Sequence, residues 1–250
     1  MNIEAYLKRI NYRGSLDLTP QTLRELQVAH LLTVPFENLS IHAGEAIVLD
    51  DDSLFDKVVG RRRGGFCYEL NGLFAALLRG LGFQVEMLSA GVANAEGEFG
   101  PDFDHMVLVV TLEDRWLVDV GFGDSFREPL LLDSEGEQVQ DDGAYRISRQ
   151  NFHLIMSQRH SDGDWKDQYR FTLQPHTYGD YAGMCHFHQT SPQSHFTRAR
   201  VCSRATPEGR ITLSELRFIT TRNNERDERL LSGEEEYRTA LREYFGIEMQ

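Results

Sequence analysis

Apolar residues recur at helical spacing through Phe66, Leu70, Leu73, Phe74, Leu77, Leu78 and Leu81. The segment from Phe66 to about Leu81 is therefore predicted to be a buried amphipathic helix. Upstream, Thr19-Pro20 supplies an N-cap and a proline at the first helical position, Leu23, Leu26 and Leu31 supply the apolar stripe, and Pro35 stops the helix. Residues 1 to about 85 thus read as helical.

Beyond Gly82 the period changes from helical to alternating. Val85 to Val92, Met106 to Leu112 and Arg115 to Val120 are short β-branched runs separated by turn residues. Further strands are expected at 145–148, 152–156 and 168–173, with Asp162-Gly163-Asp164 as a hairpin turn. Consecutive short strands of this kind predict a barrel or a strongly curled antiparallel sheet. Two more strands, Arg198 to Ser203 and Arg210 to Phe218, surround the turn Thr206-Pro207-Glu208-Gly209. The charged stretch Glu225 to Arg229 reads as a solvated loop, and a last helix opens at Ser232 and runs to about Tyr244. No internal repeat or low-complexity linker interrupts the chain, so the segments are expected to share one compact body.

Composition narrows the class. A formal charge of −13 over 250 residues argues against a nucleic-acid surface, which needs clustered Lys and Arg. No apolar run is long enough to cross a bilayer, and the start lacks the apolar core of a secretion signal, so the cytoplasm is the expected location. Three cysteines, Cys67, Cys185 and Cys202, are odd in number and irregularly spaced, which suits reduced thiols better than a disulfide scaffold.

Among these thiols Cys67 stands apart, because it falls in the first turn of the predicted helix. Unpaired N–H groups and the positive end of the dipole stabilise an anion there, so a lowered thiol pKa is expected. Gly64 and Gly65 are expected to allow a tight approach and to leave room beside the sulfur. Taken alone, Cys67 reads more plainly as a small core residue, as most free cysteines are. A nucleophilic thiol needs a base, and the base an orienting group. His105 opens the strand of Met106 to Val110, and Asp119 closes that of Trp116 to Val118. Across a hairpin at Glu113-Asp114 the two would lie opposite each other, both seven residues from 112, and could pair.

The stretch Arg63-Gly64-Gly65-Phe66-Cys67-Tyr68-Glu69-Leu70-Asn71 resembles the signature of the arylamine N-acetyltransferase family. That pattern is Arg-Gly-Gly, an aromatic, then the acyl-accepting Cys. Three further stretches agree in the family's order: Pro35-Phe36-Glu37-Asn38-Leu39, Val118-Asp119-Val120-Gly121-Phe122-Gly123 and Thr190-Ser191-Pro192-Gln193-Ser194-His195-Phe196. The resemblance implies an α+β fold around a cysteine-protease-like Cys-His-Asp core. Its parts would be a helical bundle over 1–85, an antiparallel β-barrel over 86–189 and an α/β lid over 190–250. It implies a triad of Cys67, His105 and Asp119 that moves acetyl from acetyl-coenzyme A to aromatic amines, hydrazines and N-arylhydroxylamines, by a ping-pong route through an acetyl-cysteine thioester. Phe36 and Phe122 would line the amine and acyl pocket, Gly121 and Gly123 would admit the co-substrate, and Phe187 and Gln193 would contact coenzyme A. Some members carry a hydroxyl residue where this chain has Gln193. No metal and no permanently bound cofactor are implied.

Rival readings are a thiol hydrolase and an amide synthase that takes its acyl group from a carrier protein. Cys185-His186-Phe187-His188 could serve as metal ligands if it were a strand, although four well-spaced ligands are not evident. Arg61, Arg62 and Arg63, or Arg198, Arg200 and Arg204, are candidate phosphate partners, with structural ion pairs the plainer expectation for the first three. Oligomeric state is left open.

Overall fold

The chain begins with helices α1 (Ile3–Arg9), α2 (Pro20–Thr33), α3 (Leu39–His42), α4 (Asp51–Phe55) and α5 (Cys67–Leu81), and a short strand β1 (Phe36–Glu37) lies between α2 and α3. The structure, a computed structural model, describes residues 1–160, 163–223 and 225–249. Local signals act as the sequence requires. Thr19 accepts from the Thr22 N–H at 3.2 Å to start α2, and Gly82, at φ 104°, closes α5. Leu70, Leu73, Phe74, Leu77 and Leu78 of α5 are fully buried. Each contributes about 1.5–3 kcal/mol on burial, so packing rather than intrinsic propensity holds this helix.

Next come β2 (Gln84–Val92), β3 (His105–Thr111), β4 (Arg115–Val118), β5 (Leu130–Leu131), β6 (Gln138–Gln140), β7 (Gly143–Gln150), β8 (His153–Arg159) and β9 (Lys166–His176). They form one antiparallel, barrel-like sheet ordered β5-β4-β3-β2-β9-β8-β7-β6. β3 explains its own composition. Met106, Leu108 and Val110 pack with α5, whereas Val107 and Val109 pack into the barrel interior, so both faces are covered and the run is apolar throughout. The two sheet ends meet through a side chain rather than a ladder. Leu131 N–H donates to Gln138 Oε1 (2.6 Å), and Gln138 Nε2 donates to the Leu131 carbonyl (3.0 Å). β5, only two leucines long, and β6, short and polar, give no strand signal in the sequence. Of the expected hairpin turn, Asp162 lies outside the described residues; Gly163 and Asp164 fall between β8 and β9.

The remainder comprises α6 (Tyr178–Thr190), β10 (Val201–Thr206), β11 (Gly209–Ser214), β12 (Arg217–Arg222), β13 (Glu225–Leu230) and α7 (Glu234–Ala240), which continues as a wider turn, Leu241–Phe245. A second antiparallel sheet runs β1-β10-β11-β12-β13. Three expectations are corrected here. The run from Arg210 to Phe218 is two strands joined at Glu215, where φ is 48°. Glu225–Leu230 is an exposed edge strand, whose charges discourage further pairing, instead of a loop. The segment Cys185 to His188 is helical, so His186 and His188 point to different faces, one exposed and one buried. Cys202, Leu213 and Phe218 pack against Tyr237, Leu241 and Phe245 to cover one sheet face. Helices beside antiparallel sheets make an α+β fold. No helix among the described residues is long and apolar enough to cross a membrane.

Candidate active site

β3 and β4 form the expected hairpin, with Leu108 opposite Val118 and Thr111 opposite Arg115. Extending that register puts Asp119 beside Val107, so it meets His105 diagonally; the direct opposition expected from counting is two residues out. A slip of two keeps the same face, and the pair survives. His105 Nε2 lies 2.7 Å from Asp119 Oδ2, with both side chains buried. The rings of Phe122 (5.2 Å) and Tyr169 (5.4 Å) pack against the imidazole.

Asp119 is held by more than the histidine. Its Oδ1 accepts from Asn71 Nδ2 at 2.8 Å and from the Gly121 N–H at 2.9 Å. Asn71 also donates to the Met106 carbonyl (2.7 Å) and accepts from the Val120 N–H (2.8 Å). It sits one helical turn after Cys67 on α5 and is fully buried. Sequence reasoning missed its role; the available signal was a lone amide on the face of an otherwise apolar helix that also carries Cys67.

Cys67 is the first residue of α5 and is buried. Phe66 precedes it in extended conformation, with its N–H taken by Glu69 Oε2 at 3.1 Å. Glu69 Oε1 in turn pairs with the buried Lys57 at 2.6 Å. Burial pushes the Cys67 thiol well above its ordinary pKa; a bond from the Met106 N–H pulls it back, and the charge of Asp119 raises it further. The helix terminus alone does not yield a free thiolate, contrary to the sequence expectation. Ionisation at neutral pH needs a base to receive the proton.

Glycines set the approach of these elements. A Cβ on Gly121 would stand 2.8 Å from Cys67 Cα and 2.8 Å from Asn71 Nδ2, so the loop after β4 lies directly on the start of α5. A Cβ on Gly64 would fall 1.9 Å from the Pro35 carbonyl oxygen, and one on Gly65 would meet Glu69. The glycine pair therefore seats β1 and the helix cap, and does not leave space beside the sulfur.

One cavity of about 490 Å³ is lined by Phe36, Cys67, His105, Gly121, Phe122, Phe187 and Gln193. Asp119 lies behind that wall. Gly123, at φ 96°, stands against the Phe36 ring without lining the cavity. Most candidate phosphate-binding arginines are engaged elsewhere. Arg63 forks onto Glu37 at 2.9 and 3.1 Å, and Arg61 pairs with Asp56 at 3.0 Å. Arg200 pairs with Glu215 and Glu234, Arg204 donates to the Tyr244 carbonyl, and Arg198 donates to the carbonyls of Pro192 and Gln193. Arg62 is exposed. Glu37 and Asn38, from the Pro35–Leu39 stretch, are clasps: Asn38 donates to the Phe196 and Ala199 carbonyls at 2.8 Å and accepts from the Val201 N–H at 2.8 Å.

A cysteine at a helix start and a carboxylate-held histidine, opening onto one aromatic-walled cavity in an α+β fold, define a protein of the thiol-dependent transferase and hydrolase type. Comparison with known proteins narrows this. A family model described as N-acetyltransferase matches residues 19–250. The chain is 36% identical to human arylamine N-acetyltransferase 1, covering 100% of this chain and 95% of that relative. It superposes on the Mycobacterium marinum arylamine N-acetyltransferase with a TM-score of 0.92 at 32% identity, covering 98% of this chain and 93% of that one. A structure of the M. marinum enzyme in complex with CoA matches with a TM-score of 0.91 at 31% identity, over the same shares of each chain. The chain belongs to the arylamine N-acetyltransferase family, a family of transferases.

Proposed function

We propose that this enzyme transfers acetyl from acetyl-coenzyme A to aromatic amines, hydrazines and N-arylhydroxylamines through an acetyl thioester on Cys67. The observation that carries the reading is the joint opening of Cys67 and the Asp119-held His105 onto one cavity, in a chain of this family. With Nε2 2.7 Å from the carboxylate, that nitrogen is the donor, which leaves Nδ1 as the proton acceptor. His105 takes the Cys67 proton, and the sulfur attacks the thioester carbonyl. N–H groups at the start of α5, which have no partner inside the helix, receive the developing oxyanion; such a donor is worth about 10²–10³ in rate. The imidazolium returns its proton to the departing coenzyme A thiol. A neutral arylamine then attacks the acetyl-cysteine, His105 accepts the amine proton, and that proton passes to the sulfur as it leaves.

In this reading Phe36 and Phe122 hold the ring and acyl group, Gly121 lets the co-substrate pass close to the backbone, Gly123 seats the Phe36 ring, and Phe187 and Gln193 meet coenzyme A. No permanently bound cofactor and no metal take part. The CoA complex of the M. marinum relative favours coenzyme A over a carrier protein as donor. All three cysteines are free, which suits a reducing cytoplasm. Initial rates with both substrates varied should give parallel double-reciprocal lines; intersecting lines would contradict a covalent intermediate.

A further inference from the structure

The same cavity contains a second polar constellation that the acetyl transfer does not use. His188 of α6 is 2% exposed and lines the wall. Its Nδ1 lies 3.1 Å from Ser194 Oγ. Its Nε2 lies 3.2 Å from Asp104 Oδ1, yet makes no hydrogen bond of acceptable direction. Asp104, whose side chain is 19% exposed, lines the wall too, and its Oδ2 accepts only a long 3.4 Å bond from the Val92 N–H. A partly exposed carboxylate with spare lone pairs, backed by a buried imidazole, marks a place where a donor group of a ligand completes the bonding.

The charge of the wall says which group. Glu98 and Asp104 are its carboxylates, and among the described residues no Lys or Arg lines the cavity. Arg170 stacks on the Phe99 ring, 5.6 Å from its centroid, but is not part of the lining. Burial, aided by the neighbouring His188, lowers the pKa of His195, so that imidazole supplies no cation at neutral pH. An acceptor carrying a ring carboxylate would lose hydration beside Asp104 and Glu98 and meet no Lys or Arg side chain in return. One carrying an amidinium, amide or amino group would donate to Asp104.

Resting on the arylamine reading above, we propose that Asp104 and His188 are an acceptor-selecting pair. They favour aromatic amines that bear a second, N–H-donating and preferably cationic ring substituent over amines that bear a carboxylate. Discrimination of this kind is strong because a site built for a donor is left unpaired by an analogue lacking one.

The test compares kcat/KM for 4-aminobenzamidine, 4-aminobenzamide and 4-aminobenzoate in the wild type and in Asp104→Asn. Taking the ratio between enzymes cancels the intrinsic reactivity of each amine. The benzamidine-to-benzoate ratio should fall about tenfold in Asp104→Asn, mostly through KM, with the neutral amide in between. A ratio unchanged within about twofold overturns the proposal. Should Asp104→Asn fail to fold by circular dichroism, Asp104→Ser decides on the same ratio: the same fall supports the proposal, and a constant ratio refutes it. Acetyl loading of the wild type without amine is measured alongside. If loading were absent, the transfer reading would fail by itself, and calorimetric binding of benzamidine against benzoate would still decide the pair, with tighter benzoate refuting it.

Discussion

Asn71 Nδ2 donates to Asp119 Oδ1 at 2.8 Å and so ties the carboxylate that orients His105 to the helix that carries Cys67. Because Asn71 also bonds the Met106 carbonyl and the Val120 N–H, one side chain fixes β3, the loop after β4 and α5 together. Replacing it with alanine strands buried polar groups, each worth about 1–3 kcal/mol. Asn71→Ala should lower thermal stability by a few degrees and reduce kcat by about 10²-fold through misalignment, with KM little changed. Thermal denaturation and initial rates check this; a folded variant with wild-type kcat would show that Asn71 is not a positioning residue.

The raised thiol pKa makes His105 necessary for reactivity at neutral pH. Burial disfavours the anion, so without the imidazole the thiolate fraction falls at pH 7 and recovers only as pH climbs beyond the ordinary thiol range. His105→Ala should therefore be alkylated by iodoacetamide at pH 7 at least about tenfold more slowly than the wild type, with the difference shrinking at high pH. Equal rates at pH 7 would mean that Cys67 ionises unaided.

Gly121 is required by packing. An alanine methyl there meets Cys67 Cα and Asn71 Nδ2 at 2.8 Å, so the loop or the helix start has to move. Gly121→Ala should cost about 1–3 kcal/mol and lower kcat, seen by denaturant titration and turnover. Gly97→Ala lies in open space at φ 82° and carries only the local backbone penalty, which makes it the control.

Stability should also depend on pH through His30. The residue is fully buried against the Tyr6 hydroxyl (2.9 Å), and burial, aided by Arg9, lowers its pKa to about 3. Below the unfolded value near 6.5 the unfolded chain binds a proton that the folded chain refuses, so stability is full above that pH and falls as pH drops. The loss from pH 7 to pH 5 is about 2 kcal/mol on this basis. His30→Gln should show a correspondingly shallower decline in denaturant midpoint over that interval; an unchanged slope would assign the effect to other groups.

Strong periodic signals carried most of the architecture. The apolar stripe of α5, the Thr19-Pro20 start and the β3–β4 hairpin were legible because each rests on local chemistry. α6 was not, since only Tyr181, Cys185 and His188 of its thirteen residues are buried and two glycines dilute the pattern. β13 was unreadable for the opposite reason: an edge strand with every side chain exposed has no apolar face to announce it. At the site, Cys67, His105 and Asp119 stood out as polar residues at the ends of apolar runs. Asn71 and the pairing of Asp104 with His188 did not, because their partners lie far off in sequence and only the packed barrel brings them together. Arginine partners were hidden likewise, Arg63 reaching back to Glu37 across the β1 junction.

The central claim is a covalent acetyl on Cys67, and intact-protein mass after incubation with acetyl-coenzyme A alone tests it most directly. The wild type should gain one acetyl group that an added aromatic amine removes, while Cys67→Ser should gain none. A folded wild-type protein that stays unmodified, or a Cys67→Ser variant that acquires the same adduct, would contradict the account.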